Sequence, residues 1–72
     1  MSRSKIYQAV GENIHIIRRR AHLSQEQLAE KADLTTNYIG EVERAEKKIT
    51  LETLEKIAKV LGVRIGDLLG EK

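Results

Sequence analysis

Residues 24 to 44 hold two short stretches of helical apolar spacing, each preceded by a side chain able to cap it and separated by only a few polar residues. Ser24 and Gln27 make a capping box: the hydroxyl accepts the Gln27 N–H and the Gln27 side chain accepts the Ser24 N–H. Leu23 and Leu28 are placed to staple that start, and Leu28, Ala29 and Ala32 form one apolar stripe. A following helix that crosses at roughly 90–120° can approach closely only over a small residue, and Ala29 is that residue. Asp33 marks the turn, and Thr35 can cap a second helix that buries Ile39 and Val42 at i, i+3 spacing. The pattern is a helix-turn-helix.

On the second helix Thr36, Asn37, Gly40, Glu41 and Arg44 fall on one outward strip. An ordinary solvated face is the plain alternative, but the small uncharged start and the turn before it suit a DNA major groove. Asn37 can bond adenine N6 and N7 as a pair. Thr36 offers a hydroxyl to a base edge or phosphate and a methyl to thymine, and Glu41 can accept from cytosine N4. A bridge from Glu41 to Arg44 is the competing role for that carboxylate. Gly40 leaves room for close backbone approach.

A chain of 72 residues makes one domain, and a domain this small buries only about 60% of the surface its unfolded form exposes. The absence of cysteine excludes disulfides and Cys-based zinc sites. No apolar run exceeds two residues, which argues against a membrane span or signal-peptide core and makes the cytoplasm the expected compartment. Proline is absent, Tyr7 and Tyr38 are the only aromatics, and no alternating β-branched run occurs, so the expected class is all-α.

The net charge of +2 is unevenly spread, with +4 on residues 1 to 22 and −2 on residues 24 to 33. A phosphate-binding surface has to be assembled from the end of the first helix (Arg19, Arg20), the helix-turn-helix and the basic loop at Lys47 and Lys48, where the plain alternative is solubility. The arm Ser2-Arg3-Ser4-Lys5 can reach a groove, although such tails more often fray.

Five helices are expected. The first spans about residues 4 to 21 with Ile6, Val10, Ile14 and Ile17 as its buried stripe and Gly11 as a local weakness. The second and third span about 25 to 32 and 36 to 44. Thr50 caps a fourth, stapled by Ile49 and Leu54, whose buried face is Leu51, Leu54, Ile57, Ala58 and Leu61 and whose terminator is Gly62. A last turn, about 65 to 69, closes the fold, and residues 1 to 4 and 70 to 72 are expected to fray.

The run Gly11-Glu12-Asn13-Ile14, Ile17-Arg18, Leu23 to Ala32, Tyr38-Ile39, Val42-Glu43-Arg44, Thr50 to Leu54, Ile57-Ala58, Leu61-Gly62-Val63 and Leu68-Leu69 resembles the Cro/C1 (XRE) type of phage-repressor-like DNA-binding domain over about residues 11 to 69. The resemblance implies a compact five-helix, lambda-repressor-like domain. It implies that Gln25 reaches a DNA phosphate and braces the start of the recognition helix, and that Thr36, Asn37 and Glu41 face base edges. Tyr38 and Arg44 match positions that touch the sugar-phosphate backbone, and Arg18 and Glu43 match an ion pair tying the first helix to the third. The chain departs from the family pattern where glycine is common, at His22, Asp33 and Ala45. Asp33 tolerates left-handed geometry, whereas His22 and Ala45 adopt it at a cost or end their helices differently. Arg64 stands where a small N-cap is usual before the last helix.

No enzyme is indicated: the chain has no Cys nucleophile and no Gly-rich phosphate loop, and Ser24 is taken up by capping. His15 and His22 lie seven apart without a third ligand motif, so no metal site is expected. The competing class is a protein-interaction module or antitoxin component on the same fold, which would call for an extra tail for partner capture. The preferred expectation is a cytoplasmic transcriptional regulator that binds a pseudo-palindromic site on double-stranded DNA as a homodimer, without cofactor, small-molecule ligand or membrane. Ile65, Leu68, Leu69 and part of the fourth helix are its expected seam. Tyr38-Ile39 followed by Glu41-Val42-Glu43-Arg44 is similar to the compact controller proteins of restriction-modification systems.

Overall fold

The computed structural model describes residues 5–70, so the arm Ser2-Arg3-Ser4 and the last two residues lie outside the described part. Five helices follow in order: α1 (Lys5–Arg20), α2 (Gln25–Ala32), α3 (Thr36–Glu43), α4 (Leu51–Leu61) and α5 (Ile65–Leu69). Helix α1 packs on α3 and α5, α2 on α3 and α4, and α4 on α5. Their shared core centres on Ile14, Leu28, Ile39, Val42, Ile57 and Leu68.

The helix starts are those that the capping side chains dictate. Ser24 Oγ accepts the Gln27 N–H at 3.0 Å while Gln27 Oε1 accepts the Ser24 N–H at 2.8 Å, and Thr35 and Thr50 hydroxyls accept from Tyr38 and Thr53 at 3.1 Å each. At α5 the Asp67 carboxylate accepts the Arg64 N–H at 3.0 Å, so the missing small cap is replaced by the acid three residues on.

The first four helices end in one way. His22, Asp33 and Ala45 take φ of 61°, 59° and 61°, and Gly62 takes 72°. Each turn returns a backbone N–H to the helix: Leu23 to the Arg18 carbonyl at 3.1 Å, Leu34 to Ala29 at 2.8 Å, Glu46 to Glu41 at 2.8 Å and Val63 to Ala58 at 3.0 Å. This is the six-to-one bond of a Schellman ending. His22 and Ala45 therefore adopt the left-handed conformation despite their Cβ atoms, and the exit from α3 is as defined as the others. Gly70, expected to fray, caps α5 and donates to the Gly66 carbonyl.

Five apolar placements differ from the sequence reading, among them Leu61, placed on the buried face of the fourth helix and half-buried. Ile6, placed on the buried stripe of the first helix, is 53% exposed, and Leu51, placed on the buried face of the fourth, is 72% exposed, because each lies in the first turn of its helix beyond the edge of the core. Leu68, expected at a dimer seam, has no exposed surface. Its side chain closes the core, and its carbonyl accepts from Asn13 Nδ2 at 3.0 Å, tying α5 to α1. Ile17, also placed on the buried stripe, is half-buried.

Gly11 has a different meaning from a weak point in a helix. A Cβ built there would stand 2.5 Å from the Val42 carbonyl oxygen and 2.8 Å from that of Glu43, so α1 and α3 meet backbone to backbone at this residue. Helix propensity alone would make Gly11→Ala stabilising by about 1 kcal/mol. The crossing reverses the sign: urea unfolding should show a loss of about 1–3 kcal/mol, as for other overpacked sites. Ala45→Gly should instead gain up to about 1 kcal/mol by relieving the left-handed residue.

Candidate nucleic-acid interface

The capped starts of α2 and α3 fix two helices whose exposed edges face one open concavity of about 180 Å³, lined by Gln25, Thr36, Asn37, Gly40, Glu41 and Arg44. Thr36 and Asn37 are exposed in the first turn of α3, while Ile39 and Val42 on its other side are buried. The strip expected to face base edges is thus one continuous surface, and Gln25 from α2 borders it. Tyr38 and Lys47 do not line it: Tyr38 is half-buried with its ring against the core, and Lys47 is exposed on the following loop.

Next to this surface three polar side chains gather around Glu43. Arg18 Nε donates to Glu43 Oε2 at 2.6 Å and Arg18 Nη2 to Oε1 at 3.1 Å, with the two side chains 8% and 5% exposed. Arg18 Nη1 donates to the Leu23 carbonyl at 2.7 Å. Gln25 Nε2 donates to Glu43 Oε1 at 3.1 Å, so the Gln25 carboxamide braces the last turn of the recognition helix rather than its start. His15 Nδ1 lies 2.9 Å from Glu43 Oε1 and 3.1 Å from Arg18 Nη2, and its tautomer decides whether it donates to the acid or accepts from the guanidinium.

Burial alone would push the Glu43 carboxyl up. Hydrogen bonds from Arg18, His15 and Gln25, with the charge of Arg18, outweigh burial and hold it below its ordinary value of 4.5. Among the described residues no buried side-chain nitrogen or oxygen lacks a partner. The cluster therefore satisfies the condition under which a buried ion pair is tolerable, that every remaining donor and acceptor be matched.

Sequence reasoning missed His15 in this cluster. The signal was present in its i, i+3 spacing from Arg18, which puts both on one face of α1. The alternative role weighed for Glu41, a bridge to Arg44, is not what the structure has: Arg44 Nε donates to Glu46 Oε2 at 3.1 Å, and the guanidinium lies over Gly40. The room left by Gly40 is filled by this chain's own Arg44. Ile65 and Leu69 are half-buried on α5.

Two capped helices crossing over small residues, with an uncharged exposed strip on the second, define the helix-turn-helix class of DNA-binding domain. A profile described as Helix-turn-helix matches residues 14–68, and the chain belongs to that family, of the Cro/C1 (XRE) type. It is 41% identical over 63 residues to the immunity repressor protein of Bacillus phage phi105, a match covering 88% of this chain and 44% of the repressor, so the chain spans less than half of that relative. It is 45% identical over 64 residues to the control protein C.SmaI of Serratia marcescens, covering 89% of this chain and 76% of the control protein. Among solved structures, SinR, the master regulator for biofilm formation, in complex with DNA, aligns with a TM-score of 0.80 at 33% identity, over 83% of this chain and 97% of that one.

Glu43→Gln leaves the Arg18 guanidinium buried without its counter-charge and should cost about 3–5 kcal/mol in chemical denaturation. In the unmodified protein the depressed folded-state value makes the carboxylate's contribution full above the ordinary value of 4.5 and lost as pH falls through the folded value. Stability to heat should therefore fall on acidification below about pH 4.5, and a carboxyl-carbon NMR titration of Glu43 should place its midpoint under 4.5.

Proposed function

We propose that this protein is a transcriptional regulator that recognises a pseudo-palindromic site on double-stranded DNA as a homodimer, each copy laying α3 in the major groove. The observation that carries this is the concavity in which Gln25, Thr36 and Asn37 stand together on two capped helix starts. Asn37 is assigned to adenine, Thr36 to a neighbouring base edge or thymine methyl, and Glu41 to cytosine N4. Gln25, Tyr38 and Lys47 are assigned to the phosphate backbone, where they set register without reading sequence. A phage immunity repressor and a control protein among the relatives support a regulator of the compact controller kind. Such a protein acts in the cytoplasm, and no described helix is long and apolar enough to cross a membrane.

A single module makes few base contacts, and two-fold pairing doubles them over half-sites about 34 Å apart. With Leu68 inside the core, the seam for a second copy is assigned to exposed Ile6 and Leu51 with half-buried Leu69, which border a concavity of about 150 Å³, and to half-buried Ile65 on the same helix as Leu69. Leu51→Glu should leave helicity unchanged and halve the mass measured by sedimentation. An unmodified protein that sediments as a monomer at concentrations where it binds its site would remove the seam.

Selection of bound duplexes from a random pool, followed by titration at several salt concentrations, tests the main reading. A two-fold-related motif with half-sites about one helical turn apart is expected. Asn37→Ala should lose about 1–3 kcal/mol at one base position of that motif, whereas Lys47→Ala should weaken binding to all sequences alike and lower the salt slope by about one unit. Equal losses on the selected site and on random DNA for Asn37→Ala would refute base reading by this residue.

A further inference from the structure

We infer that Arg44 reads a guanine edge in the major groove, held for that purpose in a seat made by Gly40 and Glu46, rather than clamping the phosphate backbone. The inference rests on the DNA-reading assignment above and specifies one more of its contacts.

Gly40 lies on the outward strip of α3 and yet is buried. Arg44 lies across it: a Cβ at Gly40 would stand 3.0 Å from Arg44 Nη1 and 3.7 Å from both Cζ and Nη2. The guanidinium therefore lies along the helix surface inside the concavity that holds Asn37 and Thr36. Glycine leaves this shelf fully open, and a Cβ at position 40 would push the end of the guanidinium outward by a few tenths of an ångström.

The second element of the seat is Glu46, whose Oε2 accepts from Arg44 Nε at 3.1 Å in an exposed pair. With Nε taken, Nη1 and Nη2 remain as a fork that makes no hydrogen bond to the described residues. Two parallel N–H donors are what guanine O6 and N7 accept in the major groove. A phosphate contact draws its strength from uncompensated charge and counterion release. An arginine already balanced by a carboxylate is poorly suited to that task, and Glu46 would itself be repelled by the backbone. The same pairing suits base reading, because it fixes the orientation of the fork and discourages binding to DNA that offers no guanine at that position.

The test is duplex selection with the unmodified protein and with Arg44→Ala, Gly40→Ala and Glu46→Gln, followed by salt titrations on the selected site and on random DNA. Arg44→Ala should erase a guanine preference at one position of each half-site, lowering affinity for the guanine-bearing site about tenfold or more while leaving binding to random DNA and its salt slope nearly unchanged. Gly40→Ala, which displaces only the tip of a flexible side chain, should keep its helicity and weaken the same guanine preference, by less than Arg44→Ala does, with Arg44 still present. Glu46→Gln should bind random DNA more tightly with a steeper salt dependence, narrowing the ratio of specific to non-specific affinity. An enriched motif in which guanine preference survives Arg44→Ala, or a loss shared equally by site and random DNA, overturns the role of Arg44 and leaves the DNA-reading assignment standing. An unmodified protein that enriches no motif removes that assignment and this inference together.

Discussion

Burying a carboxylate is costly unless nearly all of its lone pairs are engaged, and Glu43 is buried where α1, α2 and α3 meet. Its partners come from two helices: Arg18 and His15 from α1 and Gln25 from the first residue of α2. An apolar residue of similar size could contribute as much stability, but it would accept a range of helix positions. A carboxylate that must meet a guanidinium, an imidazole and a carboxamide at hydrogen-bond distance accepts far fewer. The cluster thus sets the rotation and height of α3 relative to the other two helices, and with them the direction in which its outward strip faces. Gly11 works toward the same end, since the backbone contact it permits beside Val42 and Glu43 brings Arg18 within reach of the acid.

The angles between helices are set by the turns, and the turns are alike. Four successive helices end on a left-handed residue with the following N–H bonded back across the last turn. Glycine supplies that conformation without strain at Gly62, while His22, Asp33 and Ala45 take it under tertiary pressure. That three non-glycine residues do so shows how strongly the packing of α1 to α4 prescribes the chain path between them. The cost of about 1–2 kcal/mol for a residue such as Ala45 is small beside the burial of Ile39, Val42 and Ile49 on either side of it.

The helices were legible because each announces itself locally, through Ser24 with Gln27, Thr35 and Thr50 at the starts and through apolar spacing along the interior. What remained hidden depends on contacts between segments distant in sequence. Leu51 and Leu54 look equivalent on a helical wheel, and only the position of α1 and α5 decides that one is exposed and the other buried. Leu68 reads as surplus for so small a core until Asn13 is seen to hold its carbonyl. Gly11 and Gly40 both read as weaknesses or free space, yet one admits a neighbouring backbone and the other a side chain four residues on. The Arg18 to Glu43 pair came from family resemblance, because no local rule connects positions 25 residues apart.

The arrangement of charge around the strip bears on how such a small domain can discriminate between DNA sequences. A net charge of +2 gives weak general attraction to a polyanion. Near the recognition surface two carboxylates are engaged by cations of the same chain, Glu43 by Arg18 and Glu46 by Arg44, while Glu41 lines the concavity. Positive charge that remains for phosphates lies on lysines such as Lys47 and Lys48 in the loop after α3, outside the concavity itself. With little affinity supplied without regard to sequence, a larger share must come from groups that meet base edges in fixed geometry. Flexible side chains would lose part of that gain to ordering, which costs about 0.5–1.5 kcal/mol for each one immobilised. Holding Gln25 on Glu43 and Arg44 on Glu46 before DNA arrives moves that ordering into the folding of the free protein, so the energetics of recognition and of the buried acid are coupled through the same short helix.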